Sequence, residues 1–207
     1  MNHGPTIFLG VLLTFSTAWL GLVFAPQLQL GSLGPQKSET PGGQDYPQPL
    51  GGLAAEGREV YRRQGCLYCH SQQIRPAQQG SDIARGWGPR RTVARDYIYD
   101  QPHLLGSMRT GPDLTNIGAR QPSAEWHHRH LINPQITSPG SIMPPFKYLY
   151  KTRKIVGQPT DEAVKLPKGW TLPEPGTEIV PTREARALVA YLQALDHTTD
   201  LPEAEGP

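Results

Sequence analysis

The sequence predicts a mainly α-helical protein: a single transmembrane helix at the N-terminus, then a helical domain with long loops. Three observations carry this. The first 36 residues contain no Asp, Glu, Lys or Arg. Three later stretches repeat apolar residues at helical spacing, and no segment alternates for long enough to read as a strand. Gly and Pro number 22 each among 207 residues, well above ordinary usage, which argues for much loop. Four Trp and eight Tyr argue against disorder throughout. A net charge of +2 supplies no strong field for nucleic acid, and none is expected as a partner.

In chain order, Ile7 to Ala25 (IFLGVLLTFSTAWLGLVFA) is nineteen residues long. At ~1.5 Å per residue it covers ~28 Å, close to the ~30 Å hydrocarbon core of a bilayer. A cleaved secretory signal is the alternative. Against it, no basic segment precedes the run, no A-x-A site follows, and the run exceeds the ~7–15 apolar residues of a signal. Residues 1–30 are therefore expected to form an anchor. Residues 31–52, rich in Gly, Pro and polar side chains, read as a flexible tether. Residues 53–197 are expected to form the domain, with insertions at about 71–108 and 147–181, and residues 198–207 a tail.

Within the domain, Leu53 to Gln64 reads as a helix with Val60 and Tyr61 buried, Arg58, Arg62 and Arg63 outside, and Gly65 as terminator. Ser123 to Ile132 reads as a short helix capped by Ser123 and ended by Pro134. Arg183 to Asp196 puts Leu188, Tyr191, Leu192 and Leu195 on one face, with Thr182 as N-cap and Glu184 in the first turn. Helices this few look insufficient to close a core, so something other than side chains is expected to fill it.

The only two cysteines lie in GCLYCH, residues 65–70. A structural zinc site would need four ligands, and no second cysteine pair follows. A thiol switch of the thioredoxin kind would need a βαβ context, which is not apparent. The remaining reading is covalent haem. Cys66 and Cys69 each add across a haem vinyl group, and His70 is placed to ligate the iron. A large flat apolar ring would also supply the missing core. An iron-bound His70 needs an acceptor for its other ring nitrogen. RTGPDL (109–114) offers the carbonyl of Pro112, which has no N–H to compete, and Gly111 permits close approach.

For the sixth position Met143, stiffened by the prolines of PGSIMPPF, is the first candidate. Met108 lies beside the proximal loop and is expected on the other face. His103, His127, His128, His130 and an open site are the alternatives. Met/His ligation closes the iron to substrates and favours electron transfer over catalysis. Arg120 and Trp126 are candidates for contacts to the haem propionates, because buried carboxylates need paired donors.

These motifs, with the helix preceding CxxCH and the C-terminal helix, resemble a class I cytochrome c, in which first and last helices cross, here near Gly57 and Tyr191. More narrowly, GREVYRRQGCLYCHSQQIRP, YIYDQPHLLGSMRTGPDL, EWHHRHLINP and IMPPF resemble the CcoO-type membrane-anchored monohaem subunit of cbb3-type cytochrome c oxidases. SQQIRP, directly after CxxCH, is the most specific part of this likeness. The chain departs from that family in carrying Gln73 and Ala77 in this run, and in residues 77–96. The resemblance implies one covalently bound haem c that relays electrons from a second c-type cytochrome subunit or soluble donor to haem b of the catalytic haem-copper subunit. It also implies a calcium ion on the backbone oxygen of Ser107. The chain is then no enzyme by itself.

Covalent haem is attached outside the cytoplasm, which sets the expected topology: bacterial cytoplasmic membrane, N-terminus inside, haem domain on the periplasmic side. The rivals are the anchored cytochrome c subunit of a nitric oxide reductase, and a haem sensor or peroxidase-like protein with an exchangeable sixth ligand. Lys147, Lys151, Arg153 and Lys154 open the second insertion as a basic group, read as a solvated loop with docking as the lesser alternative.

Overall fold

Helix α1 (Gly4–Leu30) runs for 27 residues with mean hydropathy 2.1, which makes it long and apolar enough to cross a membrane. It outruns the apolar stretch at both ends. Pro26 would sterically oppose the carbonyl one turn earlier and has no N–H to give. A π-type turn at Leu20–Phe24 precedes it, with the Ala25 N–H reaching the Leu20 carbonyl, so the helix widens and continues. The computed structural model describes residues 3–38, 42–167, 169–170 and 174–205. It divides into two units, residues 1–47 with 94–98, and residues 48–93 with 99–207.

In the first unit, part of the segment expected to be a flexible tether is pinned. Gln36 and Tyr46 form an antiparallel bridge, with N–H to carbonyl distances of 2.6 and 2.9 Å. Lys37 pairs with Asp45 at 2.6 Å, and the Tyr46 hydroxyl donates to Asp96 at 2.6 Å.

The second unit is built on the crossing of α2 (Gly52–Arg63) and α4 (Arg183–Ala194). They meet at Gly57, where a Cβ would collide with the Ala187 carbonyl and come within 2.7 Å of Tyr191 Cβ. Only a bare Cα lets the two backbones approach this closely. Around the crossing Val60, Tyr61, Leu188, Tyr191 and Leu192 are buried, and the rings of Tyr61 and Tyr191 meet edge to face at 5.3 Å. Helix α2 ends at Gly65 in the left-handed region, φ 72°. Thr182 caps α4 by accepting from the Ala185 N–H at 3.3 Å, and Glu184 in its first turn pairs with Arg63 at 3.0 Å. Helix α3 (Ala124–Ile132) is capped by Ser123, which accepts from the Trp126 N–H at 3.2 Å.

Two expectations are corrected. Arg58 is 8% exposed, not outside. Residues 100–102 fold over it, and its guanidinium donates to the Gln101 and Pro102 carbonyls and faces Asp100 at 3.6 Å. The second insertion also carries a strand pair, β1 (Tyr150–Lys154) antiparallel to β2 (Thr177–Pro181), with Tyr150 opposite Pro181 and Lys154 opposite Thr177. β1 buries only its first residue, so no alternation marks it in the sequence. The fold class is unchanged: mainly α, with an apolar N-terminal helix ahead of a helical domain.

Candidate functional site

The CxxCH segment folds as a tight 3-10 turn over Cys66–Tyr68, with the His70 N–H bonded to the Cys66 carbonyl at 2.9 Å. The two thiols are free, Cys69 exposed and Cys66 partly buried. Burial pushes the Cys66 thiol up to about 12. Among the described residues, no group of three or more His, Cys, Asp or Glu is gathered as a metal site.

His70 donates its Nδ1–H to the Pro112 carbonyl at 2.7 Å. This bond fixes the tautomer and leaves the Nε2 lone pair unprotonated. Burial lowers the basicity of His70, opposed by the Pro112 bond and the charge of Asp113. Gly111 lies against the face of the imidazole, where any Cβ would overlap the ring. The loop is tied back by Gly111 N–H to the Cys69 carbonyl and Leu114 N–H to the Ser71 carbonyl, each 2.9 Å.

A cavity of about 500 Å³ opens on this ring. Cys69, His70, Pro112, Trp126, His130 and Met143 line it, with Leu114, Leu131 and Leu192 at its apolar depth. Its size falls within the ~300–1,000 Å³ of cofactor sites. The residues fit a haem: the Cys69 thiol at the lining with Cys66 one turn before it, an oriented imidazole, a thioether in the same space and mostly apolar walls. Loop 138–144 is held on both sides of Met143. The Gly140 N–H donates to Gln135 Oε1 at 2.8 Å, and the Phe146 N–H to the Leu131 carbonyl at 2.7 Å.

The other sequence candidates fall as follows. Met108 is 56% exposed and lies outside the cavity lining. Trp126 lines the cavity and stacks on His130 with ring centroids 4.7 Å apart. Arg120 lies outside the lining; its guanidinium donates to the Asp113 carbonyl. Ser107 is exposed, its N–H bonded to the Leu67 carbonyl at 3.1 Å. His127 and His130 line the cavity, while His128 bonds Tyr150 outside it. Burial drives His130 down to about 4, assisted by the nearby imidazoles of His70 and His127.

Sequence reasoning missed the charge network that locks SQQIRP onto RTGPDL. Asp82, fully buried, takes Arg75 in two parallel bonds of 3.1 and 2.9 Å and Arg109 at 3.0 Å. Arg109 donates to the Ser71 hydroxyl, which donates to Asp113, both at 2.7 Å. Asp113 also accepts the N–H groups of Gln73 and Thr115, each at 2.8 Å. Burial pushes Asp82 upward, but the bonds and charges of Arg75 and Arg109 outweigh it, and the carboxyl titrates below its ordinary value. The arginines were visible in the sequence, but their shared partner sits in residues 77–96, the segment without a recognisable pattern.

A family model described as cytochrome C oxidase, mono-heme subunit/FixO, matches residues 36–168, more than half of the chain. The chain belongs to the FixO family. It is thus a monohaem subunit of a cytochrome c oxidase, as the CcoO-type resemblance implied, and other subunits of that oxidase are its partners. The FixO match spans the cysteine turn, the Pro112 loop, α3 and the Met143 loop, and stops short of α4. No curated protein matches the chain significantly.

Proposed function

We propose that this FixO chain holds one haem c through thioether bonds to Cys66 and Cys69, with His70 and Met143 as axial ligands, and serves as an electron relay. The electrons come from a second c-type cytochrome, subunit or soluble, and leave to haem b of the catalytic subunit. The observation that carries the reading is the 2.7 Å bond from His70 Nδ1 to the Pro112 carbonyl, in a cavity that Met143 also lines. The bond leaves Nε2 with its lone pair on a ring that lines the cavity, whose walls are mostly apolar. A haem held there would supply one-electron chemistry, and ligation by the Met143 thioether and the His70 imidazole would favour its reduced state.

Trp126 and Arg120 are the proposed donors to the haem propionates. Trp126 is already at the cavity, whereas Arg120 lies outside its lining with one guanidinium nitrogen bonded to the Asp113 carbonyl. A calcium ion at Ser107 follows from the family likeness alone. The proposed topology is a single span in a bacterial cytoplasmic membrane, N-terminus inside and haem domain outside.

Mild-detergent purification of the intact complex tests the reading. Haem staining that survives denaturing gels in the wild type and is lost in the Cys66→Ser/Cys69→Ser double variant is the expected result. Staining that persists in the double variant overturns covalent attachment through these thiols. Reduced wild type that fails to bind carbon monoxide supports a closed relay; ready binding would point instead to a sensor or peroxidase-like protein.

A further inference from the structure

The cavity holds a second histidine prepared in the same way as His70. His130 Nδ1 lies 2.6 Å from Thr137 Oγ1, and that hydroxyl lies 3.4 Å from the Pro134 carbonyl. A hydroxyl has one proton, and a carbonyl only accepts. Both contacts are hydrogen bonds in one tautomer alone: Thr137 donates to Pro134, and His130 donates its Nδ1–H to Thr137. Nε2 then keeps its lone pair, and no hydrogen bond among the described residues occupies it. Stacking on Trp126 at 4.7 Å, with ring planes 8° apart, fixes the plane of the imidazole.

His127, one turn earlier and also at the cavity, differs. Its Nε2 is spent on the Gln121 carbonyl at 2.8 Å. An Nδ1–H anchored to an oxygen, with Nε2 left bare toward a cavity, is the arrangement of a metal-binding histidine. His70 and His130 both have it, and Met143 lines the same space.

We propose that His130 is a second, exchangeable ligand for the haem iron: when the Met143 thioether leaves the metal, His130 Nε2 takes its place. This rests on the reading of His70 and Met143 given above. One iron–sulfur dative bond breaks and one iron–nitrogen dative bond forms. No proton or electron moves, because Nε2 already carries its lone pair. The ties on either side of Met143, at Gln135 and Phe146, let the thioether depart without loss of the loop. The exchanged form keeps the iron six-coordinate and closed to small ligands. It also has a lower potential, since a thioether is what raises it.

The test uses full-length haem-loaded protein and follows ferric spin state by electron paramagnetic resonance, together with carbon monoxide binding to the reduced form. Met143→Ala is expected to lose the sulfur–iron charge-transfer band yet stay low-spin with the signature of two imidazoles, and to resist carbon monoxide. Met143→Ala combined with His130→Gln is expected to become high-spin and to bind carbon monoxide readily. Added imidazole restoring the low-spin spectrum shows that this double variant is folded. A high-spin Met143→Ala protein overturns the proposal, as does a double variant that remains low-spin without imidazole. Failure of the underlying reading looks different: the sulfur–iron band then survives Met143→Ala. A wild type that loses low-spin character on His130→Gln alone overturns exchange as well, since His130 would already be the resident ligand.

Discussion

At His70 two contacts act on one ring. The Pro112 carbonyl sets its tautomer, and Gly111 sets how closely the loop lies against its face. Gly111→Ala is expected to push the imidazole off Pro112 and weaken iron ligation by roughly 10–100-fold, read as carbon monoxide binding absent from the wild type. Asp82 acts one layer out. Folding lowers its pKa, so its contribution is present above the unfolded value near 3.8 and is lost as the pH falls through the lower folded value. Asp82→Asn leaves Arg75 and Arg109 without their shared partner and is expected to cost about 3 kcal/mol at neutral pH. Urea unfolding at pH 7 and pH 3 checks this, with the gap between variant and wild type narrowing in acid. The bond from His70 to Pro112 was legible because CxxCH and GPDL are local patterns with fixed chemistry. The carboxylate pairing with Arg75 was not, since nothing in the residues around Asp82 marks it as buried.

At the scale of elements, helix ends and apolar faces followed from the sequence: Gly65, Ser123 and Thr182 sit where the chain turns, caps and starts. These signals lie within a few residues of what they control. Arg58 and the β1–β2 pair depend on distant segments, residues 100–102 for one and a partner strand more than twenty residues away for the other. Neither leaves a periodic trace. The α2–α4 crossing is the element on which the haem domain rests. Gly57→Val would drive a branched side chain into Ala187 and is expected to cost about 3 kcal/mol or more. Thermal unfolding measures the loss, and an unchanged midpoint would show that the helices do not meet there.

For the whole molecule, α1 and the haem-binding unit make separable demands. Replacing residues 1–30 with a cleavable secretion signal is expected to release haem-stained protein from the membrane fraction, as fractionation and staining would show. Retention in the membrane after the replacement would mean that something other than α1 holds the chain there. Loop-rich composition pointed to a core that side chains do not fill, and the cavity beside His70 is that gap. Its outline could not be read in advance, because it is enclosed by segments as far apart as Cys69 and Leu192.

The distance along the chain between α2 and α4 has a bearing on biogenesis. Residues that emerge early, Val60 and Tyr61, are covered by residues that emerge late, Leu188 and Tyr191. In a nascent chain Cys66 and Cys69 are made well before α4 exists to seat α2. On the proposed reading, haem attachment would then meet these thiols before α2 is seated, and the last helix would close over the joined group.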